Sequence, residues 1–313
     1  MGRIRQQAAE GDAIAQFILG DALEAGEGPI PKDTGMAAKW MLKAARQGMP
    51  EAQFRLAAMY FSGEGLGLDL GKALKWFRQA ALLGHAAAQF QVGGMYMDGL
   101  GVPQDKARAS RFFRKAAENG HAAAQHNLAC LYLLGDGVPM DKAEAAGWFR
   151  RAADNGLAEA QVNIAHLHMV GEGVPMDKAE GERLFRLAAA QGHATAQLYL
   201  GRMCLEGDGV PRDMAEAARW FLLAAGQNLA EGQYELGRMY LDGEGVAQDK
   251  AEAARLFRLA AVQGHAKAQR CLGRMCLEGD GVPQDKAEAE RLFRLADGQG
   301  HEPVRKAIEM SEM

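Results

Sequence analysis

Cysteine is scarce in this chain, with four residues in 313, too few for a disulfide framework. Cys271 and Cys276 fall five positions apart on one expected helix, on different faces, where a bridge is geometrically poor. Val, Ile and Thr are sparse while Ala, Leu, Glu, Arg, Lys and Met abound, and that composition predicts an all-helical class. No apolar run approaches the roughly 18 residues of a membrane span, so membrane insertion is not expected. The opening Met1-Gly2-Arg3-Ile4-Arg5-Gln6-Gln7 has no apolar core of a secretory leader. The expectation is a reduced, cytoplasmic chain as it stands, or a periplasmic or secreted one if a signal peptide has been removed ahead of it. An excess of one charge is missing too: 36 Lys and Arg face 40 Asp and Glu, a net of −4 without long runs of either. That argues against nucleic acid, which selects a basic face or stripe.

What is present in excess is self-similarity. Gln16, Gln53, Gln89, Gln125, Gln161, Gln197, Gln233 and Gln269 are separated by 36 residues, except the first interval of 37. The extra residue falls in the loop Gly28-Pro29-Ile30-Pro31-Lys32-Asp33, where an insertion costs little. Ten residues after each Gln stands Gly-x-Gly, from Gly26 and Gly28 to Gly279 and Gly281. A fixed period of this length signals a solenoid of stacked units.

Each unit reads as two helices. Helix A carries apolar or small residues at positions −1, +3, +4, +6 and +7 relative to the Gln, one helical stripe. The small residue at +4 (Gly20, Ala57, Gly93, Ala129, Ala165, Gly201, Gly237, Gly273) predicts close approach by a neighbouring helix. Gly-x-Gly ends helix A through left-handed backbone. An Asp (Asp105, Asp141, Asp177, Asp213, Asp249, Asp285) then caps helix B, and in the last five a Glu three residues on completes the pattern of a capping box. Helix B carries a large apolar pair such as Trp76-Phe77, Trp148-Phe149 or Leu256-Phe257, expected in the continuous core of the stack.

Ala86 to Tyr96 fits Ala-x-Ala-x-x-x-Leu-Gly-x-x-Tyr with Val92 at the Leu, Gly99 to Asp105 fits Gly-x-Gly-Val-x-x-Asp, and Lys72 to Gly84 fits Lys-Ala-x-x-Trp-Phe-x-x-Ala-Ala-x-x-Gly. These motifs resemble the Sel-1-like repeat (SLR) family, a relative of tetratricopeptide repeats, across nearly the whole chain. The resemblance implies a right-handed superhelix of antiparallel helix pairs, helix A lining its concave surface, and a scaffold or adaptor role in protein complexes. It also implies bacterial settings: the envelope, host interaction, or toxin–immunity pairs. The chain departs from the pattern where His168, Cys204 and Cys276 replace the Tyr, and it lacks the paired cysteines of the family's disulfide-rich branch. The expected architecture is an all-α solenoid in one domain. Residues 1–11 form a partial helix-B cap, 12–300 eight repeats, and 301–313 a terminal capping helix.

With motif positions committed to structure, a binding site is sought where repeats disagree, on helix-A positions +1, +2, +5 and +9. Asn127, Cys130 and Leu134, and one repeat later Asn163, His166 and Val170, make a small, mixed middle stretch. Asn127 and Asn163 suit the clamping of a partner's extended backbone, since an amide both donates and accepts. Further on, Tyr199, Arg202, Glu235, Arg238 and Arg274 follow, with an acid (Glu206, Asp242, Glu278) four residues after each Arg. That Arg ladder reads either as self-paired surface charge or as a register of forks for a partner's carboxylates.

Catalytic chemistry finds little support. The recurring Gly-x-Gly lacks a strand before it and a Gly-Lys-Ser/Thr, so it is no phosphate loop. His85, His121, His193, His265 and His301 share one position after a helix-ending Gly and read as turn or cap elements. His126, Cys130 and His166 form the one singular cluster, but zinc needs a fourth ligand that does not present itself. The function read from these residues is a non-enzymatic scaffold, monomeric and without cofactor or metal, that binds a protein or peptide on the helix-A face. An immunity protein that neutralises a secreted toxin is the narrower alternative, and a Cys/His-dependent hydrolase built on Cys130 the remoter one.

Overall fold

The computed structural model describes residues 2–26 and 31–298. The terminal helix expected at 301–313, with His301, lies outside the described residues, as does Gly28. Among the described residues there are seventeen helices and no strand. The A helices are α2 (Ala13–Ala25), α4 (Pro50–Ser62), α6 (Ala86–Asp98), α8 (Ala122–Leu134), α10 (Ala158–Val170), α12 (Ala194–Glu206), α14 (Ala230–Asp242) and α16 (Ala266–Glu278). The B helices are α1 (Gly2–Glu10), α3 (Thr34–Arg46), α5 (Leu70–Leu82), α7 (Lys106–Glu118), α9 (Lys142–Asp154), α11 (Lys178–Ala190), α13 (Met214–Gly226), α15 (Lys250–Val262) and α17 (Lys286–Asp297). The chain is the all-α solenoid of 36-residue helix pairs that its period predicts. It divides into two compact units, Met1–Ala160 with Glu172–Val174 and Gln161–Gly171 with Pro175–Met313. From α1 to α9 in the first unit and α11 to α17 in the second, each helix packs on the next.

The turns follow from glycine and aspartate. The first Gly after helix A is left-handed (Gly99, φ +72°) and donates its N–H to Met95 O, closing the helix. The second is left-handed as well, and it meets the start of the preceding helix B. A Cβ on Gly245 would lie 2.2 Å from Met214 O, so both φ and space demand glycine there. Helix B then opens on an Asp whose Oδ1 accepts from the amide three residues on, as Asp285 does from Glu288 N–H at 2.9 Å. The expected capping box is only half made. The Asp N–H donates instead to a helix-A carbonyl, Asp105 to Tyr96 O at 2.8 Å and Asp249 to Tyr240 O at 2.9 Å. The Glu three residues on is thereby released to Trp or Arg partners, as Glu144 to Trp148 Nε1 at 3.0 Å.

Within a pair, the second aromatic of helix B fills the seam. Phe77, Phe113, Phe149, Phe185, Phe221 and Phe257 are fully buried, while Trp40, Trp76, Phe112 and Trp220 before them are half-buried. The small +4 residue makes the room: a Cβ on Gly93 would meet the Phe113 ring at 2.6 Å and one on Gly201 the Phe221 ring at 2.5 Å.

The Gln that marks the period is buried in all eight repeats, at 2–5% exposure. A buried amide must be partnered or it costs about 1–3 kcal/mol. Its Nε2 donates to an Ala carbonyl of the preceding helix B, as from Gln89 to Ala81 (3.1 Å) and Gln125 to Ala117 (3.0 Å). α1 supplies the same acceptor through Ala8, 3.1 Å from Gln16 Nε2. Its Oε1 accepts from the Asn or Gln that ends its own helix B, as from Asn119 to Gln89 and Asn155 to Gln125, both at 3.0 Å. Each such amide therefore ties three helices. At Gln53 the equivalent helix-B residue is Leu83, which cannot donate, and Gln53 Oε1 is buried without a partner. In the seventh repeat Asn228 replaces the left-handed Gly before helix A (φ +61°), and its Oδ1 takes the Gln233 amide at 3.0 Å.

The recurring histidines are N-caps of helix A, as their position suggests. Nδ1 of His85, His121 and His265 accepts the amide three residues on at 3.1–3.3 Å. His193 caps without that bond. Each ring of the first three lies against the aromatic at Gln +1, Phe54, Phe90 or Tyr234, at 4.6–4.8 Å between centroids. Burial holds the His121 pKa below its ordinary 6.5.

Gln125→Leu should cost about 1–3 kcal/mol by stranding the Asn155 amide and Ala117 carbonyl, whereas Leu83→Gln should add about 0.5–1.5 kcal/mol by satisfying Gln53; shifts in the urea unfolding midpoint check both. Because the folded chain resists protonating His121, its contribution is complete above pH 6.5 and is lost as pH falls below that value. His121→Asn keeps a capping side chain but not the titration, so its unfolding midpoint should fall less between pH 7 and pH 5 than that of the unaltered chain.

Candidate functional site

The helix-A positions chosen from sequence separate once side chains are placed. Position +1 is mostly packed inward, contrary to expectation, although Arg270 there is exposed. Phe54 and Phe90 pack on Phe77 and Phe113 (5.6 Å in each case) as well as on the capping His, and Val162, Leu198 and Tyr234 are buried. The hydrophobic residue there closes the seam between repeats. Positions +2, +5 and +9 are exposed or half-buried, except for Glu235 at +2.

In the first unit, Asn127 and Cys130 are half-buried and Leu134 is 72% exposed. His126 turns edge-on to Phe149, with centroids 5.5 Å apart, and its Nε2 lies 3.9 Å from Cys130 Sγ. Asn127 Oδ1 is 3.4 Å from His126 Nδ1. Burial raises the Cys130 thiol pKa, which favours the protonated, unreactive form. Cys204 and Cys276, at the former Tyr position, are buried, and burial with the Glu216 charge pushes Cys204 up to about 11. Among the described residues no three His, Cys, Asp or Glu side chains are grouped as a metal would require.

In the second unit, Asn163 is half-buried while His166 and Val170 are exposed. Tyr199 stacks on the core ring of Phe185 (4.9 Å, 16° between planes) and approaches His166 at 6.0 Å. Two arginines of the ladder, Arg202 and Arg238, are paired, but not with the acid four residues on. Arg202 reaches into the next repeat, to Glu231 and to Glu235 Oε1 at 3.2 Å. Glu206, Asp242 and Glu278 stay exposed. Glu231 also binds His265 Nε2 at 2.7 Å. Burial opposes its ionisation, yet the His265 bond and the Arg202 charge prevail and hold its carboxyl below the usual range. Glu235, expected to touch a partner, is instead buried at 9% exposure. It braces Arg202 and, at 3.6 Å, Arg238. Arg238 lies over the Tyr234 ring with about half its side chain exposed (49%), and Arg274 is exposed one repeat on.

One feature escaped the sequence reading because a net charge averages it away. Helices α3, α5 and α7 carry eleven Lys and Arg and a single acid, Glu118. The signal was present at the position three residues after the capping Asp. It is Glu in α9, α11, α13, α15 and α17, but Met36, Lys72 and Arg108 in these three helices.

The family model described as Sel1 repeat matches eight consecutive segments: 13–49, 50–85, 86–121, 122–157, 158–193, 194–229, 230–265 and 266–301. Among solved structures, a Sel1 repeat protein from Oxalobacter formigenes is 32% identical with a TM-score of 0.78, over 99% of this chain and 89% of that one. The protein c5321, a protective antigen present in uropathogenic Escherichia coli strains and displaying an SLR fold, is 32% identical with a TM-score of 0.76, over 95% and 71%. Among curated proteins, none matches the sequence.

The state of Cys130 is directly measurable. Alkylation by iodoacetamide at pH 7.5, followed by mass spectrometry, should label Cys130 more slowly than a free thiol. Labelling at or above the free-thiol rate would restore the nucleophile reading.

Proposed function

The chain belongs to the Sel1 repeat family, and we propose that it holds a partner protein or peptide on the helix-A face of its second unit, around Arg238 and Arg274. The Sel1-repeat fold generally serves protein–protein interaction, and proteins of the family are generally non-enzymatic scaffolds. The observation that carries the narrower reading is the brace beneath the face. A buried Glu235 holds Arg202 and Arg238, so the Arg238 fork is oriented before any partner arrives. Orientation in advance lowers the entropy lost on binding. Arg238 and Arg274 recur at a 36-residue interval and offer planar forks that suit carboxylates. Among the described residues Arg274 has no ion-pair partner.

In this reading Asn163 clamps partner backbone, and His166, Val170 and Tyr199 supply the less polar end of the same face. Arg202 and Glu235 act beneath it. Asn127, Cys130 and Leu134 form a separate, more apolar patch on the first unit. The partner is an acidic segment, and its capture weakens with salt because the contacts are exposed charges.

Capture from cell lysate on the immobilised chain tests the face. The retained partner should bind at least about tenfold more weakly to Arg238→Glu with Arg274→Glu, and less strongly to Asn163→Ala. Equal retention by all variants removes this face from consideration.

A further inference from the structure

We propose that the cleft where α5, α6 and α7 meet, on the first unit and away from the helix-A face, binds a phosphate-bearing polyanion. The cleft has a volume of about 370 Å³ and is lined by Arg78, Tyr96, Arg108, Arg111, Phe112 and Lys115. Four of the six are cations, contributed by B helices of two successive repeats. Among the described residues Asp105 is the one acid that pairs with any of them, 3.1 Å from Arg108 Nε. Among the described residues, Arg78, Arg111 and Lys115 make no ion pair.

The charge excess comes from local substitutions. In the second unit the Glu three residues after the capping Asp neutralises its own helix: Glu252 binds Arg255 and Glu288 binds Arg291, each at 2.7 Å. At the same position α5 and α7 have Lys72 and Arg108, so a neutralising acid is replaced by a further cation. Lys39, Lys75 and Arg111 then align at one helix-B position in three consecutive repeats.

The aromatic floor narrows the ligand. Tyr96 and Phe112 stack on each other with centroids 5.9 Å apart and planes 13° from parallel. The Arg108 guanidinium lies over the Tyr96 ring at 5.6 Å and the Lys115 ammonium over the Phe112 ring at 5.9 Å. The rings hold the cations in place and leave no free face on which a base could stack, which disfavours single-stranded nucleic acid. A lone carboxylate brings one charge to a cleft with an excess of about three. A phosphate carries about 1.5 to 2 negative charges with its acceptor oxygens on one atom. Two or three linked phosphates therefore match both the charge and the small space, and Arg forks bind them bidentately. Such a group could reach the cleft free in solution or on a lipid headgroup.

Titration calorimetry on the full chain at about 100 mM salt tests the site with sodium tripolyphosphate. Saturable one-to-one binding is expected, weakened at least about tenfold by Arg78→Gln and by Arg111→Gln and unchanged by Arg258→Gln on α15. Co-sedimentation with phosphatidylcholine vesicles containing phosphatidylinositol 4,5-bisphosphate, but not with phosphatidylcholine alone, identifies a headgroup as the source if the same variants abolish it. Binding of tripolyphosphate without such vesicle binding identifies a free phosphate. Circular dichroism verifies that the variants fold. The proposal is overturned if neither probe binds, if Arg78→Gln and Arg111→Gln leave binding intact, or if hexaglutamate binds as tightly as tripolyphosphate. Tighter binding of a 20-residue thymidine oligonucleotide, lost in the same variants, would overturn it in favour of nucleic acid.

Discussion

An amide buried in an apolar seam has to find an acceptor for its N–H and a donor for its oxygen, and in this solenoid one Gln per repeat is under that obligation. Its acceptor is a carbonyl of the helix before it, and its donor is the residue that ends the helix after it. Helix packing by Phe, Leu and Ala is forgiving of small rotations. A hydrogen bond at both ends of one side chain is not. The Gln thus fixes the angle at which three helices meet, and the buried Phe, the small +4 residue and the left-handed turns act within that constraint. Where a partner changes, the neighbourhood changes with it. Leu83 leaves an oxygen unsatisfied, and Asn228 at once occupies a glycine's backbone conformation and accepts the displaced N–H.

Period, helix pairs, caps and core aromatics were readable from the chain because each depends on residues within a few positions of one another. The helix-A face was readable only in outline. Arg202 was expected to answer to Glu206 on its own helix, but its partners are Glu231 and Glu235, which lie on the adjacent A helix and are better shielded from water. Spacing rules within one helix carry no information about that competition. The same limit hid the role of Glu235 and the core position of Phe54 and Phe90. The half-made capping box has a related cause, since the tight turn brings a helix-A carbonyl to the Asp amide before the Glu can reach it.

The two faces discussed above use charge in opposite ways. On the helix-A side of the second unit, cations are countered by buried or half-buried carboxylates, and the fixed network presents a few oriented forks. On the helix-B side of the first unit, the Glu three residues after the capping Asp gives way to Met36, Lys72 and Arg108, and positive charge accumulates in excess of the acids that answer it. A net charge of −4 records neither arrangement. Repeat proteins make such divergence easy, because exposed positions can change in one repeat without disturbing the seam that holds the stack.

Where both ends of the buried Gln are partnered as at Gln125, its bonds reach from eight residues before it, at Ala117, to thirty after it, at Asn155. That span exceeds the 36-residue period, so consecutive rungs of this kind overlap along the chain, as those of Gln89 and Gln125 do. A cut within such a rung breaks it, yet removing or inserting a whole 36-residue block and rejoining in register breaks none. The array can therefore grow or shrink by complete periods without stranding a buried amide in its interior.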